Sequence, residues 1–153
     1  METMETIILK NLIQNEDYTR RVVPFLDEEY FKDRNERIVY TIIRDHIHKY
    51  NRSPNRDALI IALDDRGGMT EQSYKDTSII IKSITDTVDP VDNEWLMDHT
   101  EKFCKDKAVY NAILRSIEII DGKSKNETKN AIPNILSDAL SVSFDEQIGH
   151  DYI

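Results

Sequence analysis

The longest helical pattern in this sequence is NEWLMDHTEKFCKDKAVYNAILRSIEIID, residues 93–121. Apolar side chains recur along it at steps of three and four residues, which is the spacing of one helix face. At a rise of about 1.5 Å per residue, such a helix is about 40 Å long. Because a small globular unit cannot cover that length, we expect part of the helix to contact another partner. Its face consists of Trp95, Leu96, His99, Phe103, Val109, Ala112, Ile113, Ile117 and Ile120.

A polar loop and a short helix follow, and together they predict a helical hairpin. Residues 121–130 are polar, and Pro133 stands where the first turn of a helix tolerates proline. The apolar stripe of the two helices is too wide for them to hide from water, and an exposed patch of this kind marks an interface. The predicted interface consists of Ile113, Ile117, Ile120, Ile135, Leu136 and Leu140.

Helical spacing also dominates the region before the long pattern. Asp33 and Glu36 resemble a capping box, and Thr70 is a helix N-cap. The run Ile79-Ile80-Ile81 also has strand character, but polar residues flank it on both sides, which favours a helix. Further helices are expected over residues 3–14, from 17 to just before Pro24, over 33–50 and over 56–65.

The predicted fold is therefore all-α, a small globular helical bundle followed by a long helix and a C-terminal helical hairpin. Asp89-Pro90-Val91-Asp92 separates the bundle from the long helix. We expect a head over residues 1–92, the long helix and hairpin over 93–143, and a linker from 144 to 153. The closing helix is expected to break at Phe144, and the uncapped end suggests an exit toward another domain.

Composition narrows the function classes. The formal net charge is −9, from 29 acidic and 20 basic side chains. Such a surface repels phosphate backbones, so the chain is expected to bind DNA only weakly. The single Cys104 excludes an internal disulfide and fits a reducing compartment. No apolar run approaches the roughly 20 residues of a membrane span, and no signal peptide is evident, so cytoplasmic residence is expected.

Two motifs suggest chemistry, and for each a plainer interpretation is favoured. Gly122-Lys123-Ser124 resembles part of a phosphate-binding loop, but Ile117 stands where that loop needs glycine, and the preceding residues are helical. Cys104 has no histidine partner in the sequence nearby, so it is expected to be a packed cysteine rather than a nucleophile.

Charged and histidine side chains form three further candidates. His46 and His48 project to different helix faces, which favours solvated side chains over metal ligands. The acidic run from Asp86 to Glu101 suits a divalent cation or a basic partner, although a solvated helix start explains it better. Lys123, Lys125 and Lys129 gather at the predicted hairpin tip, where they are expected to form a solvated loop.

The order of these segments resembles the N-terminal domain of DnaB-type hexameric replicative DNA helicases, most closely those of T-even-like phages. That family also has a small bundle, a long helix and a hairpin, in this order. The match covers nearly the whole chain, and its most specific part is the end. It is carried by Glu5–Leu9, Leu26–Phe31, Pro54–Leu63, Glu94–Leu96, Thr100–Phe103 and Ala131–Asp151.

The resemblance implies a domain that associates with itself, as a trimer of dimers, into a collar above a ring of motor domains. It also implies docking of primase and, in phage systems, of a helicase loader. The family's ATP and Mg²⁺ sites lie in the motor domain, whose motifs do not occur here. The chain alone is therefore expected to have no catalytic residue, cofactor or metal, and to be no enzyme.

Two other functions compete with this one. The first is a stand-alone helical adaptor, such as a helicase loader or regulator, against which the open ending argues. The second is a small metal-dependent enzyme that uses the acidic run and His99.

Overall fold

The computed structural model describes residues 2–86 and 91–144, and within them the chain forms helices and no strand. The all-α fold predicted from the sequence is confirmed. The predicted break at Asp89-Pro90 and residues 145–153 of the predicted linker over 144–153 lie outside the described residues. The helices are α1 (Met4–Gln14), α2 (Glu16–Val22), α3 (Arg34–Tyr50), α4 (Arg56–Arg66), α5 (Glu71–Thr85), α6 (Asn93–Ile120) and α7 (Ile132–Leu140), with 3₁₀ turns at Val23–Phe25, Glu28–Tyr30 and Lys129–Ala131.

Side-chain caps fix where several helices begin. The Asp33 carboxylate accepts hydrogen bonds from the N–H groups of Asn35 at 2.8 Å and Glu36 at 3.0 Å. The Thr70 hydroxyl accepts from the N–H of Ser73 at 3.0 Å. These bonds satisfy N–H groups that have no partner inside the helix. The predicted starts of α3 and α5 are therefore confirmed.

Two compact units make up the chain, Met1–Met97 and Asp98–Ile153, and their limit falls within α6. The functional limits predicted from sequence, at 92/93 and 143/144, stay predictions. In the first unit α1 packs on α2, α3 and α5, while α4 packs on α3 and α5. Its largest fully buried side chains are Ile8, Leu9, Leu12, Tyr18, Phe31, Tyr40, Ile43, Leu59, Leu63, Ile81, Ile84 and Leu96.

Polar bonds attach the connections of the first unit to its helices. The Ser53 hydroxyl donates to the carbonyl of Leu12 at 2.6 Å. The Gln14 amide donates to the carbonyl of Ile84 at 2.8 Å, which joins the ends of α1 and α5. Buried Thr19 donates to the carbonyl of Leu12 at 2.9 Å. The Thr19 hydroxyl is buried, so this pairing avoids the cost of leaving it unsatisfied.

The run Ile79-Ile80-Ile81 lies in α5, so its strand interpretation is wrong. Only one side of α5 packs on the bundle. Ile81 is fully buried, whereas Ile79 is 64% exposed, because two residues turn about 200° around a helix axis. Ile79 therefore does not contribute to the core.

In the second unit, α7 ends at Leu140 rather than at Phe144. The N–H of Ser141 already bonds the carbonyls of Ser137 and Asp138, and its hydroxyl bonds Asp138 as well. Serine and valine have modest helix propensity. A serine hydroxyl that bonds a nearby carbonyl, as that of Ser141 does, also competes with helix continuation.

None of the helices in the described parts of the chain combines the length and apolar character that crossing a bilayer requires.

The α4 helix offers a matched pair of substitutions that tests the packing of the first unit. Leu59 is fully buried, whereas Ile61 is 60% exposed on the same helix. Leu59→Ala is expected to lower the free energy of unfolding by about 2–5 kcal/mol, because it leaves a cavity. Ile61→Ala is expected to change it by less than about 0.5 kcal/mol. Urea unfolding measures both, and equal losses would contradict this packing.

Candidate self-association surface

The second half of α6 exposes a row of large apolar side chains. Ile113 and Ile117 are each 47% exposed, and Ile120 is 58% exposed. All three were predicted from the sequence as interface residues. Side chains of this size are normally buried, so a row of them on the surface makes this side of α6 a candidate interface.

Two further residues extend this row and were missed in the sequence. Tyr110 and Leu114 are each 43% exposed. Together with the three isoleucines they follow steps of three and four residues, and at 3.6 residues per turn they cover about 120° of the helix surface. The spacing itself could have identified them. We call this set the α6 stripe: Tyr110, Ile113, Leu114, Ile117 and Ile120.

The opposite side of the same stretch faces inward. Ala112, Ser116 and Ile119 are buried. Two of the three are small, which suits close approach of a neighbouring chain segment. The Ser116 hydroxyl donates to the carbonyl of Ala112 at 2.8 Å, so its burial leaves no unpaired group. Ile119, which the sequence analysis left out of the helix face, is therefore an inward residue.

The remaining predicted residues lie on α7 and differ in exposure. Ile135 and Leu136 are partly buried on the same helix face as buried Ala139. Leu140 lies beside that face and is 71% exposed. Much of the surface of Ile135 and Leu136 is therefore already used inside the second unit, and Leu140 offers the larger apolar area. That all six predicted residues form an interface stays a prediction.

Two polar contacts close the hairpin. The Arg115 guanidinium pairs with the Glu127 carboxylate, with Nε at 2.9 Å from Oε1. Near the other end, the Glu101 carboxylate accepts the N–H of Phe144 at 2.7 Å and the hydroxyl of Ser143 at 3.3 Å. The chain therefore runs back along α6 from the level of residue 115 to that of residue 101. This returns α7 antiparallel to α6, as predicted.

Gly122-Lys123-Ser124 is a helix end and not a phosphate loop. The N–H of Gly122 bonds the carbonyl of Ile119 at 3.1 Å, and that of Lys123 bonds the carbonyl of Glu118 at 2.9 Å. With Gly122 at φ +75°, this is the Schellman arrangement that ends many helices. Both N–H groups point back at the helix, so they cannot surround a phosphate. That this motif binds no nucleotide stays a prediction.

Cys104 is a packed thiol. It is fully buried, and burial, together with the nearby Glu101 carboxylate, raises its pKa to about 12. The thiolate is the reactive form of cysteine, and it is suppressed here at neutral pH. The prediction of a core cysteine is confirmed.

The metal candidates find no support in the described residues. No three of the histidine, cysteine, aspartate and glutamate side chains described are arranged to hold an ion. Asp92 instead caps α6, where its carboxylate accepts the N–H of Trp95 at 2.9 Å. The ring of His46 packs on that of Tyr50, with centroids 4.7 Å apart. The lysines at the hairpin tip, Lys123, Lys125 and Lys129, are exposed.

No protein-family model matches the sequence. The chain is, however, similar to DnaB-like replicative helicases, the class that the order of its helices resembles. The relative found is the "DnaB-like replicative helicase" of Enterobacteria phage T4, which is 34% identical over 158 aligned positions covering 98% of this chain. The chain spans about one third of the length of that relative, 33%. The resemblance seen in the sequence is confirmed.

The raised pKa of Cys104 predicts a measurable pH dependence. The native thiol keeps its proton above its ordinary pKa of 9.0, whereas the unfolded thiol loses it. This group therefore leaves stability unchanged below about pH 9 and lowers it as pH rises toward 12, by at most about 1.4 kcal/mol per pH unit. Cys104→Ala removes that contribution.

Urea unfolding of the parent and of Cys104→Ala, at about pH 8 and about pH 10, tests this expectation. The parent should lose more stability than the variant between the two pH values. Lysine and tyrosine titration is common to both proteins and cancels in the comparison. Parallel losses would contradict the buried thiol.

Proposed function

We propose that this chain is the N-terminal collar domain of a hexameric replicative DNA helicase. It assembles subunits and docks partners, while ATP-driven unwinding belongs to a motor domain elsewhere in the parent protein. The support is a similarity to the T4 helicase that covers 98% of this chain but 33% of that relative. The observation that carries the assembly role is the α6 stripe.

The size of the α6 stripe sets the strength of the association. Burying the exposed part of one such side chain contributes about 1 kcal/mol, so five give roughly 5 kcal/mol per subunit. Association itself costs about 4–15 kcal/mol. A pair of isolated domains is therefore expected to associate weakly and reversibly. Within a ring, motor domains would hold the collars at high effective concentration and complete the assembly.

Symmetry favours a contact between identical surfaces. In a two-fold dimer the same patch faces itself, which an apolar row on one helix allows without any charge conflict. Leu140 and the partly buried Ile135 and Leu136 would extend the contact from α7. A collar built as a trimer of dimers would repeat this contact three times.

The isolated chain is proposed to be a binding module rather than an enzyme. The N–H groups of Gly122 and Lys123 bond the end of α6, and Cys104 is buried and protonated. ATP and Mg²⁺ would bind in the motor domain. Primase and a helicase loader are the proposed protein partners in the cytoplasm, and the net charge of −9 leaves DNA contact to the parent hexamer.

Ile117→Asp tests the α6 stripe. It places a charge in the centre of the proposed contact, where burying it unpaired costs far more than the contact gains. We expect the apparent mass of the unsubstituted chain to rise with concentration in sedimentation equilibrium, and Ile117→Asp to remain a monomer. Because Ile117 is 47% exposed, the helical circular dichroism signal should not change.

Ile79→Asp is the matched control, since Ile79 is 64% exposed on α5 in the first unit. It should associate as the parent does. Equal masses for Ile117→Asp and the parent, with intact helical signal, would remove the α6 stripe as the interface.

The parent reading frame provides a separate test. Beyond Ile153 it is expected to encode a strand followed by Gly-x-x-x-x-Gly-Lys-Ser/Thr within about a hundred codons, the phosphate-binding loop of a motor domain. A stop codon directly after Ile153 would instead favour the stand-alone adaptor.

A further inference from the structure

A groove of about 650 Å³ lies in the first unit, between α2, the Val23–Phe25 turn and the second half of α3. This volume falls within the range of about 300–1,000 Å³ that is usual for ligand pockets. None of the residues of the α6 stripe lines it. We call it the α2–α3 groove.

The floor of the α2–α3 groove is apolar. It is formed by Val23, Leu26, Tyr40 and Ile47. Leu26 and Tyr40 are buried in the bundle, whereas Val23 and Ile47 are partly open to solvent. Aliphatic side chains at the bottom of a groove provide a place for an apolar anchor of a ligand.

The rim of the groove is basic. Its cations are the three arginines Arg20, Arg44 and Arg52, and neutral His48 and the carboxylate of Glu16 also line it. This concentration of positive charge occurs on a chain whose formal net charge is −9. Cations also suit the C-terminal ends of α2 and α3, where helix dipoles favour them. An interaction with helix dipoles does not explain why these cations surround an apolar floor.

The rim arginines are only weakly engaged by the protein itself. Arg20 pairs with Glu16 at 3.5 Å, and both side chains are more than two-thirds exposed, at 72% and 80%. Arg44 contacts its neighbour Asp45 at 3.2 Å. An exposed pair such as that of Arg20 with Glu16 contributes little net stability, so a ligand carboxylate can replace it. Arg52 makes no salt bridge with any described residue.

Arginine geometry indicates the chemistry of the ligand. A guanidinium binds a carboxylate through two parallel hydrogen bonds, which fixes orientation as well as charge. Single-stranded nucleic acid is disfavoured, because it binds through exposed aromatic rings on which bases stack. The Tyr40 ring at the floor is 1% exposed and offers no such face.

We propose that the α2–α3 groove binds a short acidic segment of a partner protein, in which aspartate or glutamate side chains flank an apolar anchor. The anchor fills the space above Val23 and Ile47, and the acidic side chains contact Arg44 and Arg52. This inference rests on the proposed docking role and specifies its ligand. The residues of the groove do not belong to the α6 stripe, so a failure of peptide binding and a failure of self-association can be told apart by separate measurements.

Selection from a displayed library of random peptides of about 12 residues, on the whole chain, tests the proposal. Peptides that bind the parent are selected, and those that also bind the double variant Arg44→Glu/Arg52→Glu are removed. We expect the remaining pool to be enriched in aspartate and glutamate next to leucine, isoleucine or phenylalanine. A pool without acidic enrichment would overturn the proposal.

One enriched peptide, labelled with fluorescein, is then measured by anisotropy. The double charge reversal is expected to weaken its binding at least about tenfold, and added salt should weaken it as well. Arg34→Glu/Lys75→Glu is the matched control, because it changes the net charge equally at exposed positions of the first unit outside the groove. That control should bind within about twofold of the parent.

Thermal unfolding shows whether each variant is folded. Arg44 is 29% exposed and lies over the Tyr40 ring at 5.8 Å, so its replacement carries a structural effect of its own. Exposed Arg52→Glu alone should still weaken the peptide at least about threefold. Equal peptide binding by parent and Arg52→Glu would overturn the proposal. A single-stranded oligothymidylate is the second test. The proposal would also be overturned if this oligonucleotide bound the unsubstituted chain, displaced the peptide and did not bind the double variant, because the groove would then be a nucleic-acid site.

Discussion

The second unit depends on one constraint, which is that α6 must serve two surfaces at once. Its last turns bury Ala112, Ser116 and Ile119 on one side and expose the α6 stripe on another. A neighbouring helix as short as α7, with 9 residues, covers only one of these sides. The inward side therefore stabilises the hairpin, and the outward side remains available for association. Stability and the proposed assembly thus involve different residues of one helix.

The contacts that close the hairpin give the exposed stripe a defined geometry. A helix of 9 residues is not stable alone in water, where about 12–15 residues are marginal. The pairing of Arg115 with Glu127 fixes the loop, and the Glu101 carboxylate fixes the end of the chain at Phe144. A surface ordered before association loses less conformational entropy when it binds. This ordering compensates in part for the modest apolar area of the stripe.

Local signals in the sequence predicted most of the fold. Caps such as Asp33 and Thr70 act within one helical turn, so the starts of α3 and α5 could be predicted from neighbouring residues. Which of Ile119 and Ile120 faces the interior could not be predicted in this way, because it depends on the side of α6 that a distant segment covers. Leu114 was missed although its spacing places it in the row, and the end of α7 was placed four residues late at Phe144 although the bonds that end the helix are local to Ser141. The α2–α3 groove joins residues from separate helices and has no local signal.

The two candidate surfaces suit different kinds of contact. The α6 stripe is apolar, and its contribution to the proposed association grows with the apolar area that a contact buries. The α2–α3 groove is small and charged, and charge affects the rate and selectivity of encounter more than the final affinity. On a chain with a net charge of −9, most of the surface repels an acidic segment. A local basic rim above an apolar floor would therefore direct such a segment to one place.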